Sequence, residues 1–242
     1  MYTGVLELIS DFKEPFDPKV KATKKAKRII TERGDKVTKE LLKEEVDLIL
    51  QDWEDKRTRG IKMQKKLCER DLKVSGSDKV FLEERINETK YGELLDNNLS
   101  KLENNTIYLE KLLFSNKYKI LGYADKVFVK RGTINIIDNK VIDKLYRTSS
   151  YVLDNGHRVP GTKMYAPLDH LDSCNYNDYV LQLSLYMYLA WENNKHLKMG
   201  KLYIRHIKMS DKDKIISDKL IEVPHLKQEV KKLLKYKLLN DE

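Results

Sequence analysis

Residues 118–142 carry a hairpin more firmly than any other stretch of the chain carries its own element. Two runs rich in Val and Ile, at residues 118–130 and 133–142, are separated only by Arg131 and Gly132, and two-residue hairpin loops favour glycine because their backbone must enter the left-handed region. If Arg131 and Gly132 form that loop, Val127 faces Ile136 and Val129 faces Ile134, so apolar partners meet across the strands. The same register sets Asp125 opposite Asp138. Lys140, two residues on, points to the same face as Asp138 because side chains alternate along a strand.

The flanking sequence supplies the rest of an α/β fold. A helical pattern covers residues 18–56, interrupted at Arg33-Gly34-Asp35, and a further helix is predicted at residues 59–72, with Ser75-Gly76-Ser77 as the loop after it. The stretch to Asn105 is mixed. A strand is predicted at residues 106–113 and a turn at 114–117, ahead of the hairpin. Residues 145–175 form a loop too long to be a mere connector and so a candidate substrate-contacting insertion. A helix at residues 177–193, a strand at 201–208, a partner around 215–223 and a closing helix after Pro224 complete the order. This predicts a central mixed β-sheet flanked by helices, with an N-terminal helical addition. At 242 residues the chain suits one domain, residues 1–105 mainly helical and 106–242 holding the core, and is too short for two full-sized enzymes.

The formal net charge is +9, which favours a polyanionic partner, although many basic proteins bind no nucleic acid. Lys19, Lys21, Lys24, Lys25, Lys27 and Arg28 concentrate charge on the first long helix, either to track a phosphate backbone or as a solvated face. Cys68 and Cys174 are the only cysteines, too few for an iron–sulfur cluster or a structural zinc site. No run approaches the apolar length of a membrane helix and Met1 to Ser10 does not read as a signal peptide, so a cytoplasmic protein is expected, with no membrane partner.

Two carboxylates about 4.5–5.5 Å apart at Cβ repel one another unless a cation bridges them. Magnesium, which takes oxygen ligands and commonly uses one or two carboxylates plus phosphate oxygens, fits such a pair. Lys140 beside it can position a water or offset charge in a transition state. The alternative is a surface hairpin with scattered charges, since Asp-x-Lys arises by chance in a lysine-rich chain.

Gly122 to Asp125 (Gly-x-x-Asp), Ile136 to Lys140 (Ile-Ile-Asp-x-Lys) and Gln182 to Tyr186 (Gln-x-x-x-Tyr on a helix), in this order and spacing, resemble the motifs of RecB-type exonucleases in the PD-(D/E)XK nuclease superfamily. The resemblance spans roughly residues 59–207, and residues 164–189 look like bacteriophage-encoded versions, for which the location would be the host cytoplasm. It implies a restriction-endonuclease-like core, DNA cleavage, and one or two Mg²⁺ or Mn²⁺ ions. By that resemblance Asp125 and Asp138 are metal ligands, the backbone carbonyl of Asn139 is another, and Lys140 is the catalytic lysine. Glu110 matches an upstream acidic position, to assist a second metal or orient Lys140, or is an exposed strand carboxylate. Gln182 and Tyr186, four apart on one helical face, contact phosphate or base, or else pack.

Two positions depart from the pattern. Gln64 stands where a metal-binding His is usual, and Val141 follows the lysine where Thr is common. The expected function is an exonuclease acting on DNA with free ends or single strands in replication, recombination or processing. The alternative is a catalytically weak or inactive nuclease-fold protein that binds nucleic acid. An RNA-cleaving viral endonuclease shares the metal chemistry, but the Gln-x-x-x-Tyr helix argues against it.

Overall fold

A computed structural model describes residues 1–74, 79–83, 95–152, 158–210 and 212–240; the expected loop at Ser75-Gly76-Ser77 lies outside the described residues. The chain divides into two compact units, Glu14–Lys66 on one hand and Met1–Lys13 with Leu67–Glu242 on the other.

The smaller unit is a pair of helices, α2 (Pro18–Glu32) and the first part of α3 (Lys39–Val74). Asp17 caps α2 by accepting a hydrogen bond from Val20 N, and Pro18 fills the first turn, where its missing N–H is no loss. Gly34, with φ +81°, ends the helix: Gly34 N donates to the Thr31 carbonyl and Asp35 N to that of Ile30, the paired bonds of a Schellman motif. Ala22 and Ala26 let the helices approach, and Ile49 packs there with Leu42, Val46 and Trp53 around it.

Sequence pattern predicts a break between residues 56 and 59; instead α3 runs unbroken for 36 residues. Pairs one turn apart carry it across: Gln51 with Asp55, Lys56 with Asp52 and Arg57 with Glu54. Gly60, in mid-helix, costs only its conformational freedom.

The larger unit is an α/β fold built on a mixed sheet. Its strands are β1 (Thr3–Gly4), β2 (Lys79–Leu82), β3 (Thr106–Ser115), β4 (Ile120–Lys130), β5 (Thr133–Val141), β8 (Lys198–Met209) and β9 (Ile215–Val223). The order is β2-β3-β4-β5-β8-β9, with β1 added beside β4. The β3/β4, β4/β5 and β8/β9 pairs are antiparallel, while β2/β3, β1/β4 and β5/β8 are parallel. A parallel β5/β8 pair needs a crossover, which α4 (Asn175–Glu192) supplies. With α1 (Val5–Ser10) and α5 (Lys227–Asn240) it covers one face of the sheet. Leu8, Phe12, Leu181, Leu185 and Leu233 pack there against Val127, Val129, Ile134, Ile136, Leu202 and Ile204, all essentially inaccessible.

The three central strands, α4, β8, β9 and α5 fall where the sequence predicts them, within a few residues. β1, α1 and β2 are additions to the expected order. The long loop after β5 includes a small hairpin of β6 (Tyr151–Val152) and β7 (Arg158–Val159), and its later part is anchored: Tyr165 N donates to the Phe12 carbonyl and Leu168 is fully buried. Among the described residues no helix is long and apolar enough to cross a membrane.

Candidate active site

The β4–β5 turn is the two-residue loop read from the sequence. Arg131 and Gly132 both take positive φ, +51° and +70°, as the primed turns require. The ladder then runs Lys130↔Thr133, Val129↔Ile134, Val127↔Ile136 and Lys126↔Ile137, the predicted register. One step further, where Asp125 and Asp138 would pair, the strands part. β5 continues along β8, with Asp138 beside Ile204 and Lys140 beside His206, while β4 is next paired on that edge by β1 at Ile120 and Leu121. Asp125 stands at this fork and its Oδ2 accepts a hydrogen bond from Asn139 N at 2.6 Å. A residue's N–H and C=O point to the same side of a strand, so the Asn139 carbonyl also faces the fork.

Asp138 is 2% exposed. Its Oδ2 lies 2.6 Å from Lys140 Nζ, an ion pair, yet receives no well-directed hydrogen bond. Loss of water pushes the Asp125 carboxyl up to about 8, and the Asp138 charge adds to this against the opposing pull of Lys140 and the Asn139 amide. Burial alone would lower the Lys140 ammonium, but Asp138 and Asp125 outweigh it and hold its pKa above the ordinary lysine value. Lys140 is therefore a cation at neutral pH, fitted to donate hydrogen bonds and offset negative charge rather than to remove a proton.

Helix α4 fixes that cation. Lys140 Nζ donates to Gln182 Oε1 at 3.0 Å, and Gln182 Nε2 donates to the Tyr186 hydroxyl at 3.0 Å. The ammonium also lies 4.5 Å from the centre of the Tyr179 ring, an attractive cation–π distance. Tyr179, Gln182 and Tyr186 recur at three and four residues, hence on one face. Gln182 and Tyr186 are both buried and use these groups internally, one to hold the lysine and the other to hold the glutamine. Tyr179 is absent from the sequence reading, although its helical spacing from Gln182 was there to find. The glycine of Gly-x-x-Asp also acquires a reason: a Cβ on Gly122 would stand 2.6 Å from Tyr186 Cε1, so the bare backbone makes room for the ring.

Glu110 occupies the position on β3 facing Asp125, where the ladder skips a pair between Leu109↔Lys126 and Lys111↔Ala124. Its φ of +52° is a strained value for a residue with a side chain. Close by, Cys68 on the last turns of α3 has its thiol pKa raised, first by burial and then by Glu110, Asp71 and Asp125. Lys126 on β4 pairs with Asp71 at 2.9 Å and ties this stretch of α3 to the sheet. Gln64 is carried by α3 within Glu14–Lys66, not by the unit that holds the carboxylates.

Among the described residues no three His, Cys, Asp or Glu side chains gather into a ready-made metal cage. The fork nevertheless suits a divalent cation. Asp138 Oδ2 is buried against the Lys140 ammonium without a hydrogen bond of good geometry, and Asp125 is kept from ionising first by burial and then by the charge of Asp138. Two carboxylates and a carbonyl are a ligand set that magnesium completes with water and phosphate oxygens. No family model matches the chain, and no curated protein is detectably similar to it.

Proposed function

We propose that the chain is a Mg²⁺- or Mn²⁺-dependent nuclease with a PD-(D/E)XK-type core, hydrolysing phosphodiester bonds in DNA and acting as an exonuclease in phage-type replication, recombination or processing. The observation that carries this reading is the fork itself: two carboxylates at the point where β4 and β5 separate, with a cationic lysine held beside them by Gln182 and Tyr179. Asp125, Asp138 and the Asn139 carbonyl would hold the ion, with Glu110 as a further candidate. When bound, the ion supplies positive charge to the scissile phosphate and acidifies water. Lys140 directs its N–H groups at oxygens that gain negative charge as the bond breaks. Gln182 keeps that ammonium aimed, and Tyr186 keeps Gln182 in place. Contact of Gln182 or Tyr186 with nucleic acid would require them to leave these internal bonds.

The test is incubation of the protein with end-labelled linear DNA, closed circular DNA and RNA, each with magnesium, manganese or chelator. The expected result is metal-dependent cleavage of linear DNA, lost in Asp138→Ala with the fold retained, and slowed about a hundredfold or more in Lys140→Ala with metal binding spared. More than about a tenth of wild-type cleavage in Asp138→Ala, on the same scale of effects, would overturn the assignment. Gln64→Ala is expected to be the milder variant. DNA affinity should fall steeply with salt, since each neutralised phosphate releases counterions.

A second reading, a nuclease-fold protein that binds DNA without cutting it, is motivated by Gln64 and Val141, which stand where the resemblance expects a metal-binding His and a Thr. It predicts salt-sensitive DNA binding in the same assay with no cleavage under either metal.

A further inference from the structure

The opposite face of α4 borders a cavity unrelated to the carboxylates. Ser184, Met187, Tyr188 and Trp191 are spaced by three and four residues along that face, about half a turn away from Gln182 and Tyr186, and they close the cavity with the start of β8 and the first turns of α5. Its volume is about 510 Å³, within the range of small-molecule sites. The walls are apolar and include Met187, Leu197, Met199 and Val230. Two methionines make a lining that adapts to a flexible chain.

The rim has one sign of charge. Lys198, Lys227 and Lys231 border the cavity and are exposed. Among the described residues no ion pair joins any of these three ammonium groups to a carboxylate. Of the neighbouring acidic side chains, Glu229 is engaged with His170 and Glu222 with Lys201, while Glu192 accepts a long hydrogen bond from the Tyr188 hydroxyl and does not itself line the cavity. A single cationic rim around an apolar interior selects for a ligand with an apolar body and an anionic head, because the body gains by leaving water and the head meets uncompensated positive charge.

We propose that this cavity is a binding site for an alkyl-chain carboxylate of the fatty-acid type, its chain between α4 and α5 and its head at Lys198, Lys227 and Lys231. The proposal is independent of nuclease activity, and its test uses none. Trp53 and Trp191 are the only tryptophans, and Trp191 lines the cavity, so in a Trp53→Phe background Trp191 is the sole reporter. Titration with decanoate, decanol and decyltrimethylammonium, all below their micelle concentrations, should give a saturable change in emission with decanoate, at least tenfold weaker binding of decanol, and weaker binding still of the cation. Calorimetry on the unmodified chain should give the same order. Combining Lys198→Glu, Lys227→Glu and Lys231→Glu should weaken decanoate tenfold or more and leave decanol unchanged. The proposal is overturned if Trp191 and calorimetry both report no decanoate binding, if all three probes bind equally, or if charge reversal leaves decanoate binding intact.

Discussion

Asp125 is asked to do two things that conflict: to accept the Asn139 amide as a carboxylate, and to sit beside a second carboxylate away from water. Its pKa is raised from 3.8 to about 8, so between those values the folded chain keeps a proton that the unfolded chain has released. Stability from this group is therefore present below about pH 4 and is lost as pH rises toward 8. Asp125→Asn removes the titration while keeping an oxygen for Asn139 N. In chelator, its melting temperature should exceed that of wild type by a margin that grows from pH 5 to pH 8.5, and added magnesium should narrow the gap by stabilising wild type alone. A margin that stays constant with pH would mean that Asp125 ionises freely. Glu110 invites a parallel test. Glu110→Gly relieves a left-handed φ and should raise the melting temperature, with a loss of cleavage if the carboxylate serves the reaction. Asp125 was legible in the sequence because strand alternation and a two-residue turn set the register as far as Lys126 and Ile137, although the parting of the strands just beyond was not; Glu110 was legible only through the resemblance. Tyr179 was not, since an aromatic on an apolar helix looks like any other core residue until its neighbour across the gap is known.

Among the elements, the hairpin was readable because it carries a clear alternation and α4 because it is a long apolar run with no Gly or Pro, whereas β1, α1 and β2 were not. Strands of two and four residues are too short for a period to show, and α1 has barely more than a turn and a half. The unbroken α3 was missed for a different reason: Gly60 and a run of charges resemble a boundary, but the charges pair along the helix and hold it together. A Cβ added to Gly60 would have no atom within 4 Å, so Gly60→Ala should stabilise by about 1 kcal/mol, visible as a higher denaturant midpoint at unchanged slope. The alanine at Gln182 has the opposite purpose. Gln182→Ala frees the Lys140 ammonium from its acceptor, and turnover should drop while metal half-saturation stays in place; a collapse in thermal stability instead would mark Gln182 as a packing residue.

For the molecule as a whole, the net charge of +9 overstates what the first long helix offers to a polyanion. Lys21 pairs with Glu14, Arg28 with Glu32, and Lys25 lies 5.8 Å from the Trp53 ring, so part of the cluster is already engaged. The two units also differ in how much they bury. Glu14–Lys66 buries few apolar side chains, Ala22, Ala26, Ile30, Ile49 and Met63, with partly exposed residues around them, while the larger unit holds the main core. Amides of α2 should exchange with deuterium through local openings about tenfold or more faster than those of β4, β5 and β8, as read by mass spectrometry of peptic fragments. Uniform protection would mean that the chain opens as one cooperative body.

The absence of a side chain at Gly122 joins two stretches that are far apart in the chain. Tyr186 fills the volume that a methyl at residue 122 would need, so the two positions share one fixed space and cannot change independently. Gly122→Ala alone should destabilise the fold, Tyr186→Leu alone should leave a void, and the double substitution should cost less than the sum. Over evolutionary time the same constraint becomes a rule of substitution: in any related chain that keeps this packing, the size of the residue at 122 and that at 186 should vary inversely.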